Sequence, residues 1–412
     1  MNLIYKHVKH SGVAAIALTM LAAVVLLAGF VIPAQAQTES VLFSFTYGPE
    51  GAFPLASPTL VGTTLYGTAS QGGYNANGTV WAVNATTGKE TTLYEFQAGQ
   101  NDGYTPMGAV AYYKGSFYGT TCGGPHGQNN SPGMIFKLTK SKKTYVESII
   151  LFNSDGSNGA CPGYVTPVFD KQGNMYGTTS GGGEINGSIV NGGTVFKLSP
   201  TGQITTLHSF NNCGVGTDGC VPWAGVTMDK KGNLYGVTQT GGTSSNGYGT
   251  LYEINASGAY QVLYNFQGGN DGFYPLAPPV LDKKGNLYGT TENGGSGGYG
   301  TIWEFNPKTG QKTILYNFSG NPDGSSPWAG ALVFDKQGNL YGTTSGGGDA
   351  NSSGTIWELA PNGTLTYLHN FSNQPDGDQP YGGVVFDKEG NIYTTTTHGG
   401  TDEYGAVIKL TP

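Results

Sequence analysis

The feature that most constrains the fold is a tyrosine that returns every 52 to 59 residues behind an apolar neighbour: Tyr66, Tyr118, Tyr176, Tyr235, Tyr288, Tyr341 and Tyr393. Around it lies a repeated unit, clearest in the sixth copy. It reads Asp323-Gly324-x-x-Pro327, an apolar run from Ala331 to Phe334, Asp335-Lys336-Gln337-Gly338-Asn339 and Leu340-Tyr341-Gly342-Thr343-Thr344. A glycine loop follows, then Gly354-Thr355-Ile356-Trp357-Glu358-Leu359, Pro361-Asn362-Gly363, and Thr366 to Phe371. Each copy therefore holds four short apolar runs bounded by turn residues. One such unit cannot bury its own faces, so the copies must pack on one another. A period of about 50 residues with four strands per copy predicts propeller blades. The expected fold is all-β, a seven-bladed β-propeller of four-stranded blades, with strands a to d running outward from the axis.

The turns have a mechanism. Asp-Lys-x-Gly-Asn and Pro-x-Gly place glycine where a type I turn needs a following residue of positive φ, which closes the a–b and c–d hairpins. The longer Gly-Gly b–c loops and the Asp-Gly-x-x-Pro d–a connections then share the other face, the loop face. The last copy ends after strand c, at Ile408 to Pro412, whereas Glu39 to Phe45 has the pattern of an outer strand. Residues 37–45 are expected to supply strand d of the last blade and close the ring, leaving no open sheet edge. The copies then run over about 46–96, 97–152, 153–210, 211–266, 267–318, 319–371 and 372–412.

The 70 glycines fit this reading, because 37% hydrophobic and 12% aromatic residues is too much apolar surface for a disordered chain. All 19 basic residues are lysine and the net charge is −7. A chain without guanidinium forks and with a negative balance lacks the means to hold nucleic acid, so the expected partners are uncharged or weakly charged extracellular ligands. No cofactor, no metal site and no nucleic acid are expected, and the protein is read as a monomer.

The N-terminus carries Lys6 and Lys9, an apolar run from Val13 to Ile32, and Pro33-Ala34-Gln35-Ala36. This order reads as a secretory signal peptide over residues 1–36. It leaves one propeller over 37–412, secreted to an extracellular or periplasmic location, with no transmembrane domain in the mature chain. An uncleaved anchor is the alternative, since an apolar run of about 20 residues is long enough to span a bilayer. In an oxidising compartment the four cysteines are expected to pair. Cys213 and Cys220 bracket one loop and read as a local clip. Cys122, in the b–c loop of blade two, and Cys161, entering blade three, read as a second disulfide, with free thiols as the alternative.

The recurring Asp-Gly-x-x-Pro, Asp-Lys-x-Gly-Asn-Leu-Tyr-Gly-Thr-Thr, Gly-Gly and Gly-Thr-x-x-x-Leu units resemble the GloVer-type tandem repeat of bacterial extracellular proteins, from about Ser40 to Pro412. The resemblance implies a secreted or surface-attached propeller and assigns no activity. A weaker similarity to kelch blades rests on Gly-Gly after strand b, but the Tyr and Trp spacing of that repeat is not kept.

A ligand site should break the repeat symmetry. The Asp of Asp-Gly recurs at 102, 155, 218, 271, 323 and 376, with Glu50 in blade one, and so reads as turn structure rather than a calcium ligand. Of the histidines, His208 and His369 occupy the tyrosine position of strand d and read as structural. His126 and His398 lie in or at Gly-Gly loops and are the candidates for a general base. Glu184, Glu292, Asp349, Asp402 and Glu403 lie towards the same face, where two could form a carboxylate pair. The position after the proline of Asp-Gly-x-x-Pro varies most: Leu55, Met107, Gly163, Trp223, Leu276, Trp328 and Tyr381. Trp223, Trp328 and Tyr381 are the candidate ligand-binding residues, able to stack on a sugar or peptide at the channel mouth, although packing between blades explains them too. The leading reading is a binding module for a carbohydrate or peptide; the alternative is an extracellular lyase or hydrolase at the mouth of the channel.

Overall fold

The computed structural model describes residues 37–97, 102–124, 132–213, 217–244 and 246–412. The signal segment and His126 lie outside the described residues. Seven four-stranded antiparallel sheets make seven blades, almost without helix. Blade 4 is representative, with strand a at Thr227–Met228, b at Leu234–Thr238, c at Thr250–Ile254 and d at Tyr260–Asn265. The closing strand behaves as expected: Thr38–Ser44 pairs antiparallel with Ala406–Thr411, in a sheet with Ile392–Thr396 and Val385–Phe386.

The hydrophobic core is divided into seven clusters, and each joins two neighbouring blades. One contact recurs in them. The strand-d phenylalanine of one blade packs its ring on the strand-c aromatic of the next: Phe45 on Trp81, Phe96 on Phe136, Phe152 on Phe196, Phe210 on Tyr252, Phe266 on Trp303 and Phe318 on Trp357, with centroids 5.2–5.8 Å apart. Such tilted and edge-on pairs suit the ring quadrupoles.

The glycine after the marker tyrosine has its explanation here. Gly67, Gly119, Gly177, Gly236, Gly289 and Gly342 lie opposite these same rings in the b–c register, and a Cβ on any of them would overlap the ring. In blade 7 the strand-c residue is the smaller Ile408, and its partner is Thr394 rather than glycine. The exception has the same steric cause as the rule.

A second seam ties each blade to the next on the loop face. The residue before the proline of Asp-Gly-x-x-Pro has positive φ in all seven blades: Phe53, Thr105, Cys161, Val221, Tyr274, Ser326 and Gln379, at 52–59°. For branched Thr105 and Val221 this backbone is strained. Its N–H donates to the b–c loop of the preceding blade, at 2.6–3.2 Å, from Thr105 to the Asn77 carbonyl round to Phe53 to the Tyr404 carbonyl. The proline that follows lies against a glycine of that preceding blade, Gly78, Gly133, Gly193, Gly249, Gly300, Gly354 or Gly405. Proline Cδ is 2.6–2.9 Å from where a Cβ would stand.

The disulfides join Cys122 to Cys161, stapling blade 2 to blade 3, and Cys213 to Cys220 within the connection entering blade 4. Among the described residues no helix is long and apolar enough to cross a membrane.

Two outcomes test this architecture. Gly289→Ala should cost about 1–3 kcal/mol by overpacking against Trp303, and adding Trp303→Ile should recover part of that loss in a double-mutant cycle of thermal stability. Additive costs would disprove the steric link. Deleting residues 37–45 should sharply lower the melting temperature or cause aggregation, whereas unchanged melting would show that ring closure does not depend on this strand.

Candidate functional site at the channel mouth

The glycine and proline seam brings the start of every strand a to the axis on the loop face, and so determines what lines the channel. The lining comes from the residues just past the compared aromatic position: Ala56 and Ser57, Tyr164, Ala329 and Gly382, with Leu55, Thr166, Pro278 and Ala331. The enclosed space is only about 20 Å³, roughly room for one water. A ligand of sugar or peptide size does not fit among these side chains, so a site on the axis would sit above them, at the mouth.

One blade departs from the others at the position just past the compared column. The equivalent residues are Ala56, Gly108, Ala224, Ala277, Ala329 and Gly382, but blade 3 has Tyr164, beside Gly163 where its neighbours carry a larger side chain. The Tyr164 ring stacks on Trp223 of blade 4, with centroids 5.2 Å apart and planes 28° from parallel. Burial pushes its hydroxyl up to about 12, with a further contribution from Tyr381 across the mouth. Tyr381 in turn lies 5.2 Å from Trp328 of blade 6, tilted by 40°. Trp223, Trp328, Tyr381 and Tyr164 therefore form two ring pairs near the axis, all half-buried. The indole N–H groups of Trp223 and Trp328 are buried with no acceptor among the described residues.

Polar groups flank these rings. The Tyr381 hydroxyl donates to the Gln379 side-chain carbonyl at 2.8 Å, and burial, Asp378 and Glu292 all push it up. Glu292, in the b–c loop of blade 5, is held above the usual carboxylate range by burial. Burial does the same to Asp378, partly offset by His398 and reinforced by Glu403. Asp378 and His398 exchange backbone hydrogen bonds, and Oδ1 of Asp378 is buried without a partner among the described residues. The His398 ring rests on Phe53 of blade 1, centroids 5.1 Å apart, beside Tyr404. Glu403 accepts a hydrogen bond from Gln374.

The expected residues are thus divided. Trp328, Tyr381, Glu292 and Asp378 are brought together at the mouth, Trp223 joins through Tyr164, and His398 joins through Asp378. Asp349 is spent on the Asn351 N–H at 2.8 Å. Glu184 lies in a small extra hairpin, Glu184–Ile185 with Ser188–Ile189, beside strand d of blade 3. Asp378 and Tyr164 were missed from sequence. The signal for Tyr164 was present, a single large residue in a column of alanine and glycine one place beyond the column compared.

The family model for the Gloeobacter/Verrucomicrobia repeat matches residues 28–248 and 225–412. The chain belongs to this repeat family. No curated protein matches it. Among solved structures it is similar to the extracellular domain of a proposed one-component system from B. thetaiotaomicron, at 11% identity and TM-score 0.55, over 90% of this chain and 40% of that one. It is also similar to oligogalacturonate lyase from Vibrio parahaemolyticus, at 13% identity and TM-score 0.53, over 90% of this chain and 93% of that one. The chain thus spans well under half the length of the first of these. At such identities the likeness is one of fold.

Within this repeat the Asp-Gly carboxylate clasps the strand d that precedes it. Asp102 accepts from Tyr94 and the Gln97 N–H, Asp323 from Tyr316 and Ser319, and Asp376 from His369 and Ser372. The first part of the next strand d faces the same carboxylate. In blade 5 that residue is Lys312, 2.7 Å from Asp271. In blades 7, 1 and 2 it is Glu39, Glu90 and Glu147, so acid faces acid towards Asp376, Glu50 and Asp102. Burial first, and then those neighbours, raise all three; Glu90 and Glu147 reach about 7.

The folded state holds these protons more tightly than the unfolded chain, whose glutamates titrate near 4.5. Their contribution to stability is therefore lost as pH rises from about 4.5 to about 7. The melting temperature should be higher near pH 5 than near pH 8, and Glu147→Gln should reduce that difference by stabilising the protein at pH 8. A pH dependence unchanged by Glu147→Gln and Glu90→Gln together would refute the assignment.

Proposed function

We propose that this protein is a binding module displayed outside the cytoplasm, taking an uncharged carbohydrate or peptide at the loop-face mouth. The observation that carries the reading is the break in repeat symmetry there. Four rings, Trp223 with Tyr164 and Trp328 with Tyr381, sit beside an axial pocket of only about 20 Å³. Half-buried aromatic faces next to amide and carboxylate groups suit a sugar ring or a peptide side chain. The distribution of charge supports this. None of the b–c loops or d–a connections contains a lysine, whereas every d–a connection carries a carboxylate. A polyanion would find no counter-charge on this face. Two disulfides and the pattern of residues 1–36 support secretion of a single propeller over 37–412.

The second reading, a lyase or hydrolase, draws on one observation. Asp378 is a carboxyl kept high by burial, with an unpartnered oxygen and His398 beside it, the setting of an acid–base pair. The lysine-free face argues against an acidic polymer as its substrate.

Trp328→Ala and Trp223→Ala test the first reading against neutral cell-wall oligosaccharides and peptides. A binding site should lose at least tenfold in affinity, about 1.4 kcal/mol, with little change in melting temperature. Loss of stability without loss of binding would reduce the rings to blade packing. Turnover of a bound oligosaccharide that disappears in His398→Ala would favour the enzyme.

A further inference from the structure

Away from the mouth, two departures from the repeat meet across one seam. After Gly-Gly, blades 2 to 7 continue with Pro125, Glu184, Thr243, Ser296, Asp349 and Thr401, whereas blade 1 continues with Tyr74. That tyrosine is the most exposed large hydrophobic residue among the described residues, at 81%. Its backbone N–H is held by Glu95 at 3.1 Å, and the adjacent Asn75 amide donates to Gln97 at 2.6 Å, so the loop is anchored to strand d of blade 1.

The facing wall belongs to blade 2. Its outer hairpin, Met134–Ser141 with Thr144–Leu151, has strands of eight residues where other blades have five to seven. It also runs without the bulge that interrupts every other c–d pair. A continuous ladder keeps the hairpin extended, so its tip, Lys140-Ser141-Lys142-Lys143, stands beside blade 1. This is the densest cationic turn in a chain whose loop face has none.

Between these walls lies a groove of about 680 Å³, within the usual size of a small-molecule site. Its lining combines the rings of Tyr66, Tyr74, Tyr94 and Tyr145 with Lys140 and Lys143, threonine hydroxyls, the amides of Asn75 and Gln97, and one carboxylate, Glu95, which accepts the Tyr74 N–H. Tyrosine faces stack on the C–H faces of pyranoses, and hydroxyls and amides match sugar hydroxyls. Lysine ammonium groups meet isolated carboxylates as point charges.

We propose that this groove binds an oligosaccharide of carboxylated sugars, stacked along the tyrosines with its carboxylates towards the hairpin tip. It is a second site, independent of the mouth. The absence of guanidinium forks favours sparse carboxylates over dense phosphates.

The probe is a β-1,4-mannuronate hexamer, compared by calorimetry with neutral β-1,4-mannohexaose, which has the same skeleton without the carboxylates. The wild-type protein should bind the mannuronate hexamer and hold it more weakly as salt rises. Tyr74→Ala should weaken it about tenfold, and Lys140→Glu with Lys143→Glu should abolish it. All three side chains are exposed, so these variants should keep the wild-type melting temperature. Equal affinity for the neutral hexamer, or binding unchanged in both variants, overturns the proposal. A polyglutamate peptide that binds as tightly overturns the carbohydrate assignment. Repeating the titration in Trp328→Ala separates the two sites: groove binding persists there, whereas its loss would move the hexamer to the mouth.

Discussion

The structure depends on one contact repeated around a ring: an aromatic residue in strand c, seated on a glycine of strand b and capped by the phenylalanine ending strand d of the blade before. The glycine lets the ring lie flat on its own sheet, and the phenylalanine commits the outer edge of one blade to the middle of the next. A blade alone leaves both partners unmatched, and the clusters exist only between neighbours. The closing strand follows from this. Phe45 caps Trp81, and without it blade 1 would expose the face that every other blade covers.

The loop face is organised by a second repeated constraint, the strained residue before proline. Its N–H bonds to the preceding blade and its carbonyl to the end of its own strand b. In blade 4 the Val221 N–H donates to the Gly192 carbonyl, and the Val221 carbonyl accepts from the Gln239 N–H. The surroundings over-determine the backbone, which is how positive φ persists in branched residues. The result is a rigid rim with side chains that can vary. Cys161 uses a rim position for an inter-blade disulfide, Phe53 for a seat under His398, and Gln379 to orient Tyr381. Rigid scaffold and variable rim together are what a binding face needs.

Charge is segregated on the same frame. Lysines occupy the tight turns and strands, carboxylates dominate the loop connections, and in three consecutive seams acid faces acid where blade 5 uses Lys312. The mouth and the blade 1–2 groove therefore offer opposite chemistry, aromatic rings among carboxylates in one and tyrosines beneath ammonium groups in the other.

By itself the sequence determined the fold class, the blade number and the closing strand, because the repeat, its turn residues and its broken ends are local patterns with one consistent solution. It also singled out Trp223, Trp328 and Tyr381, because a site must break symmetry. Only the tertiary structure decided which of them meet. Trp328 and Tyr381 are 53 residues apart in the chain and pair because blades 6 and 7 are neighbours, while Trp223 pairs with Tyr164 from the blade before. The burial that raises Asp378, the seat of Tyr164 among residues of blades 1, 5, 6 and 7 and the groove under the blade 2 hairpin depend on distances between blades, which no pattern along one strand contains.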